Sequence, residues 1–263
     1  MFFCVLFNLL ELLPIYQNDY HHIGHNRQKL MGMDKCDKSN LAAHDCIFNK
    51  LLDIKTGNGG AVSITSVECN YVNVIFQDCV CSGMGGAVYI NISGTSNCSF
   101  SRCTFLRCQA HTGGAIYAET TATASQLFID RSDFENNNAT STKETTAAKY
   151  GQVFRYSQTG GGGAIHLAMR GGKIDSCTFL GNTCNNGHSS NIVHSILSIA
   201  TNDKQKFYYN NCTFYFTDAT CKASIFLGKA TTGGHYLTFN NCKFYNLFEI
   251  KNAQYHILTL LNS

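Results

Sequence analysis

The chain has 263 residues, of which 44% are hydrophobic and 14% charged, with a formal net charge of +3. A charge this small, carried by scattered lysines and arginines, leaves no basic stripe and excludes nucleic acid as the expected partner. One proline and no tryptophan, against 23 glycines and many asparagines, describe a chain that bends often.

Residues 1–13, MFFCVLFNLLELL, are apolar, but they lack a basic start, carry Asn8 and Glu11, and show no small-residue cleavage pattern before Pro14. Leu6, Leu9, Leu10 and Leu13 fall at helical spacing. A helix capping the end of a repeat array, an atypical signal segment and a truncated gene product all remain open. Residues 17–40 are polar. His21, His22, His25 and the downstream Cys36 match no standard zinc spacing, and Gly24 breaks the pair four apart, so the segment reads as a solvated linker. Residues 1–43 are therefore expected to form an N-terminal cap and linker.

From residue 44 a repeat takes over. Gly-Gly-Ala recurs at Gly59-Gly60-Ala61, Gly85-Gly86-Ala87, Gly113-Gly114-Ala115 and Gly162-Gly163-Ala164, each followed by Val or Ile. A phenylalanine runs with it at Phe48, Phe76, Phe105, Phe134, Phe179, Phe214 and Phe244, at intervals of 28, 29, 29, 45, 35 and 30 residues. Self-similarity at this period means a solenoid. Five residues before each marker from Phe76 to Phe244 sits Tyr71, Phe100, Ile129, Ile174, Tyr209 or Phe239; three after comes Cys79, Cys108, Asn137 or Asn182. After the glycines, Val88/Ile90, Ile116/Ala118 and Ile165/Leu167 alternate with Tyr89, Tyr117 and His166. Alternation over so few residues is a strand signal. Each unit is expected to hold about three short strands, bent at Gly, Asn or Asp. Stacked coils would put like residues in columns about 4.8 Å apart. The expected fold is all-β: a right-handed parallel β-helix of about seven coils over residues 44–263.

Gly-Gly-Ala-Ile together with Phe134-Glu135-Asn136-Asn137 and Phe179-Leu180-Gly181-Asn182 resembles the repeat of the polymorphic outer-membrane proteins, and more broadly the right-handed β-helix, pectin-lyase-like proteins. The likeness covers roughly residues 44–245 and weakens after 185, where Gly-Gly-Ala is lost. It implies a surface-displayed or secreted adhesin, and glycans or cell-surface proteins as partners; no cofactor is implied. One fold hosts many functions, so that role rests on the resemblance alone.

Residues 138–160 interrupt the period with a Thr/Ala-rich stretch that reads as an exposed excursion from one coil. Beyond 186 the Phe and Cys markers persist, with Ile192–Ile199, Ser224–Leu227 and Ile257–Leu261 standing in the third-strand position. No run is long enough to span a membrane as a helix, and no lipidation signal is present.

Fourteen cysteines would suggest disulfides in a secreted chain. Several, however, share an inward column, where cysteine is a small buried apolar residue. Cys177, Cys212 and Cys242 should stack, and three in a row cannot all pair, which favours thiols there while leaving an inter-coil disulfide open. Sequons at Asn91, Asn97, Asn138 and Asn211 are about as many as chance supplies in so Asn- and Ser/Thr-rich a chain.

Asp130 and Asp175 offer the one enzymatic lead. Each lies four before a marker phenylalanine, so they should stack on adjacent coils at the separation a retaining glycosidase uses. The same column holds Asn210 and Asn240, which points to a bend position instead. P-loop, GxSxG and HExxH motifs are absent, as is an adjacent-Asp pair. The binding lead is the column Ser63, Tyr89, Tyr117, His166, expected to point outward with exposed ring faces able to stack on sugars or anchor a protein. Ordinary β-propensity of tyrosine is the plain alternative. The expected function is thus a non-enzymatic binding scaffold; a carbohydrate-active hydrolase or lyase, or a fragment of a larger repeat protein, are the alternatives.

Overall fold

A computed structural model describes residues 36–37, 40–45, 47–53, 57–65, 68–120, 124–140, 161–185, 189–194, 205–215, 223–227, 235–245, 250–251 and 257–261. The capping segment, His21, His22 and His25 lie outside them. The described residues are all β, and every strand pairing but one is parallel. Four sheets run along the axis. Sheet I has nine strands, among them Glu68–Val72, Cys98–Ser101, Gln126–Asp130, Gly171–Asp175, Gln205–Asn210 and His235–Asn240. Sheet II has seven three-residue strands, each centred on a marker phenylalanine from Phe48 to Phe244. Sheet III has five two-residue strands such as Gln109–Ala110, and sheet IV has seven, including Val88–Ile92, Ile116–Thr120 and Ile165–Ala168. This is a parallel β-helix whose seven sheet II strands mark seven coils; parallel crossovers within one sheet are right-handed as a rule.

Two features differ from the sequence reading. The first five coils carry four strands rather than three, because the two-residue strands of sheet III are too short to show alternation. Asn138–Ala139 is one of them, so the start of the stretch read as an excursion is part of the coil; residues 141–160 lie outside the described residues. At the other end Asn40–His44 already pairs in register with Glu68–Val72, across the boundary read at 44. Its outer edge is paired antiparallel with Cys36–Asp37, which hides part of an edge a solenoid cannot leave open.

The corners explain the repeat. Between sheets I and II one residue per coil takes the left-handed conformation: Asp45, Asn73, Arg102, Arg131, Ser176, Asn211 and Asn241, with φ from 46° to 56°. The bend thus falls one residue after the Asp130/Asp175/Asn210/Asn240 column, which instead ends the sheet I strand. From Asp45 to Asn211 each amide at this corner still donates to the next coil, as Arg131 does to the Asp175 carbonyl at 2.9 Å, so the ladder continues around the turn. At the sheet IV corner Gly113 has φ 64°, and a Cβ on Gly114 would sit 2.0 Å from the Gly163 carbonyl oxygen. The first glycine is required by conformation and the second by contact with the neighbouring coil's backbone.

Inside, the marker phenylalanines form one continuous ladder, with centroid spacings of 4.7 to 5.1 Å from Phe48 to Phe244. The Cys/Asn column beside it has a specific task. Cys79 and Cys108 direct their thiols at the carbonyls of Phe48 and Phe76, each at 3.5 Å. Asn137 and Asn182 donate in the same way to the carbonyls of Phe105 and Phe134, each at 2.9 Å. The asparagines also accept: Cys108 N–H donates to Asn137 Oδ1 at 2.8 Å, and Asn137 N–H to Asn182 Oδ1 at 3.0 Å. Asparagine can replace cysteine in this column because both cap the preceding coil's phenylalanine carbonyl, asparagine more strongly. Cys177, Cys212 and Cys242 are buried thiols, as their column suggested, whereas Cys184 is disulfide-bonded.

Asn137→Ala should therefore cost about 2–3 kcal/mol in urea unfolding, since it strands a buried amide and a buried carbonyl. Cys108→Asn, which keeps the donor, should stay within about 1 kcal/mol of the parent.

Candidate functional site

The sheet IV column came out in the expected register but in a different environment. Tyr89 pairs with Tyr117, Tyr117 with His166 and His166 with Val193. None of the four belongs to the interior cluster, so they do project away from the core. They are nonetheless buried: Tyr89 is 8% exposed, Tyr117 1% and His166 0%. The expected row of open ring faces is overturned. Flat rings in register at one coil rise stack on each other, here with centroids 5.7 Å apart for Tyr89–Tyr117 and 4.9 Å for Tyr117–His166. Both faces of Tyr117, and one face each of Tyr89 and His166, are thus occupied.

The same surface holds a residue that sequence reading missed. Glu119, two positions along the strand from Tyr117, accepts from the Tyr89 hydroxyl at 2.6 Å through Oε1 and from the Tyr117 hydroxyl at 3.2 Å through Oε2. Asn91 Nδ2 donates to the Tyr89 hydroxyl at 3.3 Å. Burial, then the Glu119 carboxylate, pushes both phenols above their ordinary range, so they remain protonated donors at physiological pH. The alternation that selected Tyr117 selects Glu119 equally, but a lone carboxylate without a column of its kind gave no sequence signal.

Asp130 and Asp175 are brought together as expected, at paired positions on adjacent strands of sheet I. Their partners are structural. Arg131 Nη2 lies 2.7 Å from Asp130 Oδ2, and Lys173 Nζ lies 2.7 Å from Asp175 Oδ2. Ser176 Oγ also donates to Asp175 Oδ1 at 2.9 Å, and Asn211 Nδ2 to the same oxygen at 3.3 Å. Partial burial works to raise the Asp175 pKa, but these hydrogen bonds outweigh it and hold the group below its ordinary 3.8. A retaining glycosidase needs one carboxyl kept protonated near neutrality, and Asp175 is driven the opposite way. The arrangement suits strand-end fastening, with Asn210 and Asn240 in the following coils.

The open surface lies elsewhere. Phe128, Lys173 and Tyr208 occupy one outward column of sheet I on three successive coils, and Lys206 pairs beside Tyr236 two residues earlier along the strand. Phe128 is 38% exposed and Tyr208 48%. On sheet II, Leu180 and Tyr245 are also exposed, and Tyr245 stacks on Tyr215 at 4.8 Å. Applying to sheet I the alternation that singled out Tyr89 would have found this column, one residue before Ile129, Ile174 and Tyr209.

Among the described residues no group of three or more His, Cys, Asp or Glu is placed to hold a metal ion, and no helix is long and apolar enough to cross a membrane. No family model, curated protein or solved structure matches the chain.

Tyr117→Ala should lower stability by about 3 kcal/mol, as for other buried aromatics, measured by urea unfolding. Asp175→Asn should cost under about 1 kcal/mol at pH 7, given its partial exposure. Because the folded-state pKa is depressed, that contribution is present above 3.8 and disappears as pH falls through the lower folded value, so parent and variant should converge in strong acid.

Proposed function

We propose that the chain is a non-enzymatic binding scaffold, displayed on a cell surface or secreted, whose β-helix presents flat strand faces to glycan or protein partners. The observation that carries this reading is the outward column Phe128, Lys173, Tyr208, with exposed aromatic rings two coil rises apart on a rigid sheet. Large, fairly rigid side chains give contact area at low entropic cost, which is why aromatic residues dominate interface energetics. The resemblance to polymorphic outer-membrane protein repeats and to pectin-lyase-like β-helices supports an adhesive role in the same direction. The hydrolase or lyase alternative is weakened by the neutralised environment of Asp130 and Asp175.

The test pairs binding with turnover. Immobilised glycans and extracellular matrix proteins are screened for retention of the full chain, while polysaccharides in solution are assayed for chain cleavage. The proposal expects retention without cleavage, reduced roughly tenfold or more by Phe128→Ser with Tyr208→Ser, with the melting temperature nearly unchanged. Cleavage abolished by Asp175→Asn would instead establish the enzyme. Surface labelling of intact expressing cells checks display separately.

A further inference from the structure

The interior thiols are not distributed evenly along the coils. Cys69 and Cys98 pair in exact register on neighbouring strands of sheet I, both buried. Leu41 and Leu127 take the same register position in the coils on either side, so no third cysteine shares this register column. Cys79 and Cys108 are likewise equivalent residues of the same two coils, joined by Gln109 N–H donating to the Cys79 carbonyl at 2.9 Å. Both are buried, with Leu51 before them and Asn137 after them in the column. Two discrete dithiols thus face each other across one pair of coils, one within sheet I and one beside sheet III, 29 residues apart in each case.

We propose that Cys69–Cys98 and Cys79–Cys108 are inter-coil cross-link sites, closed by exchange with a small-molecule disulfide of the glutathione-disulfide class. The geometry is suited to it. Adjacent strands lie about 4.8 Å apart, inside the roughly 4.4–6.8 Å Cα separation that a disulfide spans. One cysteine thiolate attacks the disulfide and expels one small thiol, leaving a mixed disulfide. The facing cysteine then attacks the protein sulfur and expels the second small thiol. Two cysteine thiols and one small disulfide become one cystine and two small thiols, with no other oxidant needed. Closure removes the Cys79 and Cys108 thiol donors to the Phe48 and Phe76 carbonyls, a small loss because S–H is a weak donor.

The remaining described thiols should behave differently: Cys81 pairs with Asp53 and directs its thiol at the carbonyls of Met84 and Gly85, each at 3.4 Å. Cys103 lies between Val74 and Ser132 and has no sulfur neighbour in its column. Cys177, Cys212 and Cys242 form a row of three, so at most one bond can form among them and one thiol must remain. Burial pushes Cys69 and Cys79 above the ordinary thiol range, so attack waits on local opening of the coil and exchange is slow rather than absent.

The experiment incubates the folded full chain with a reduced/oxidised glutathione buffer. The reaction is then quenched with acid, remaining thiols are alkylated in denaturant, and linkages are mapped by non-reducing peptide mass spectrometry. The expected result is both cross-links together, Cys103 alkylated, and a rise in melting temperature of roughly 5–10 °C. Cys98→Ala with Cys108→Ala should abolish that rise, while Cys103→Ala, equally buried, should retain it. Mapping needs no variant, so a misfolded mutant cannot obscure the answer. Alkylated Cys69, Cys98, Cys79 and Cys108 after prolonged oxidation, or these cysteines linked to other partners, would overturn the proposal. It stands apart from the binding role, since it is read on purified protein whatever the chain contacts.

Discussion

Every property of this protein depends on one constraint: each coil hydrogen-bonds to the next through its backbone, in register, at a single strand spacing. That ladder continues even through the corners, where the amide of Arg102 donates to Asp130 and that of Arg131 to Asp175. Once the spacing is set, whatever occupies a position in one coil is packed against its equivalents in the two neighbours. Phenylalanine can then repeat indefinitely, because stacked rings at 4.7 to 5.1 Å match the coil rise. Asparagine can repeat because its side-chain amide both donates to and accepts from the preceding coil, while its backbone N–H donates to the asparagine of the next. Charge repeats poorly, and the Asp130/Asp175 column is tolerated only beside Arg131 and Lys173.

The same constraint governs what the exterior can offer. A column of flat outward rings consumes its own faces by stacking, as Tyr89, Tyr117 and His166 do, and it becomes a buried layer tied down by Glu119. A ring presents a face to a partner only if the adjacent coil carries something else. Phe128 and Tyr208 meet that condition because Lys173 lies between them in the register. In a solenoid, irregularity in an outward column is therefore a better sign of a contact surface than repetition is. Interior irregularity acts in a related way: where leucine or asparagine interrupts a cysteine column, thiols are left as isolated pairs with chemistry of their own.

From the sequence alone, the period, the Gly-Gly-Ala corner, the phenylalanine column and the parallel β-helix could all be read, because each depends on backbone conformation or on a side chain repeated at the coil length. The adjacency of Asp130 with Asp175, and of Tyr89 with Tyr117, followed from the same counting. Counting could not reveal the environment of those residues. Alternation separates the core side of a strand from the other side, but it does not distinguish solvent from a covered surface, and so Tyr117 was expected in the open and is buried. Nor could it show that Asn211, from the next coil, joins the sequence-local Lys173 and Ser176 on Asp175, a contact made only when the coils stack. The repeat determined which residues meet; the tertiary structure decided what else meets them, because charge, burial and hydrogen bonding at each site depend on non-repeating neighbours a coil away.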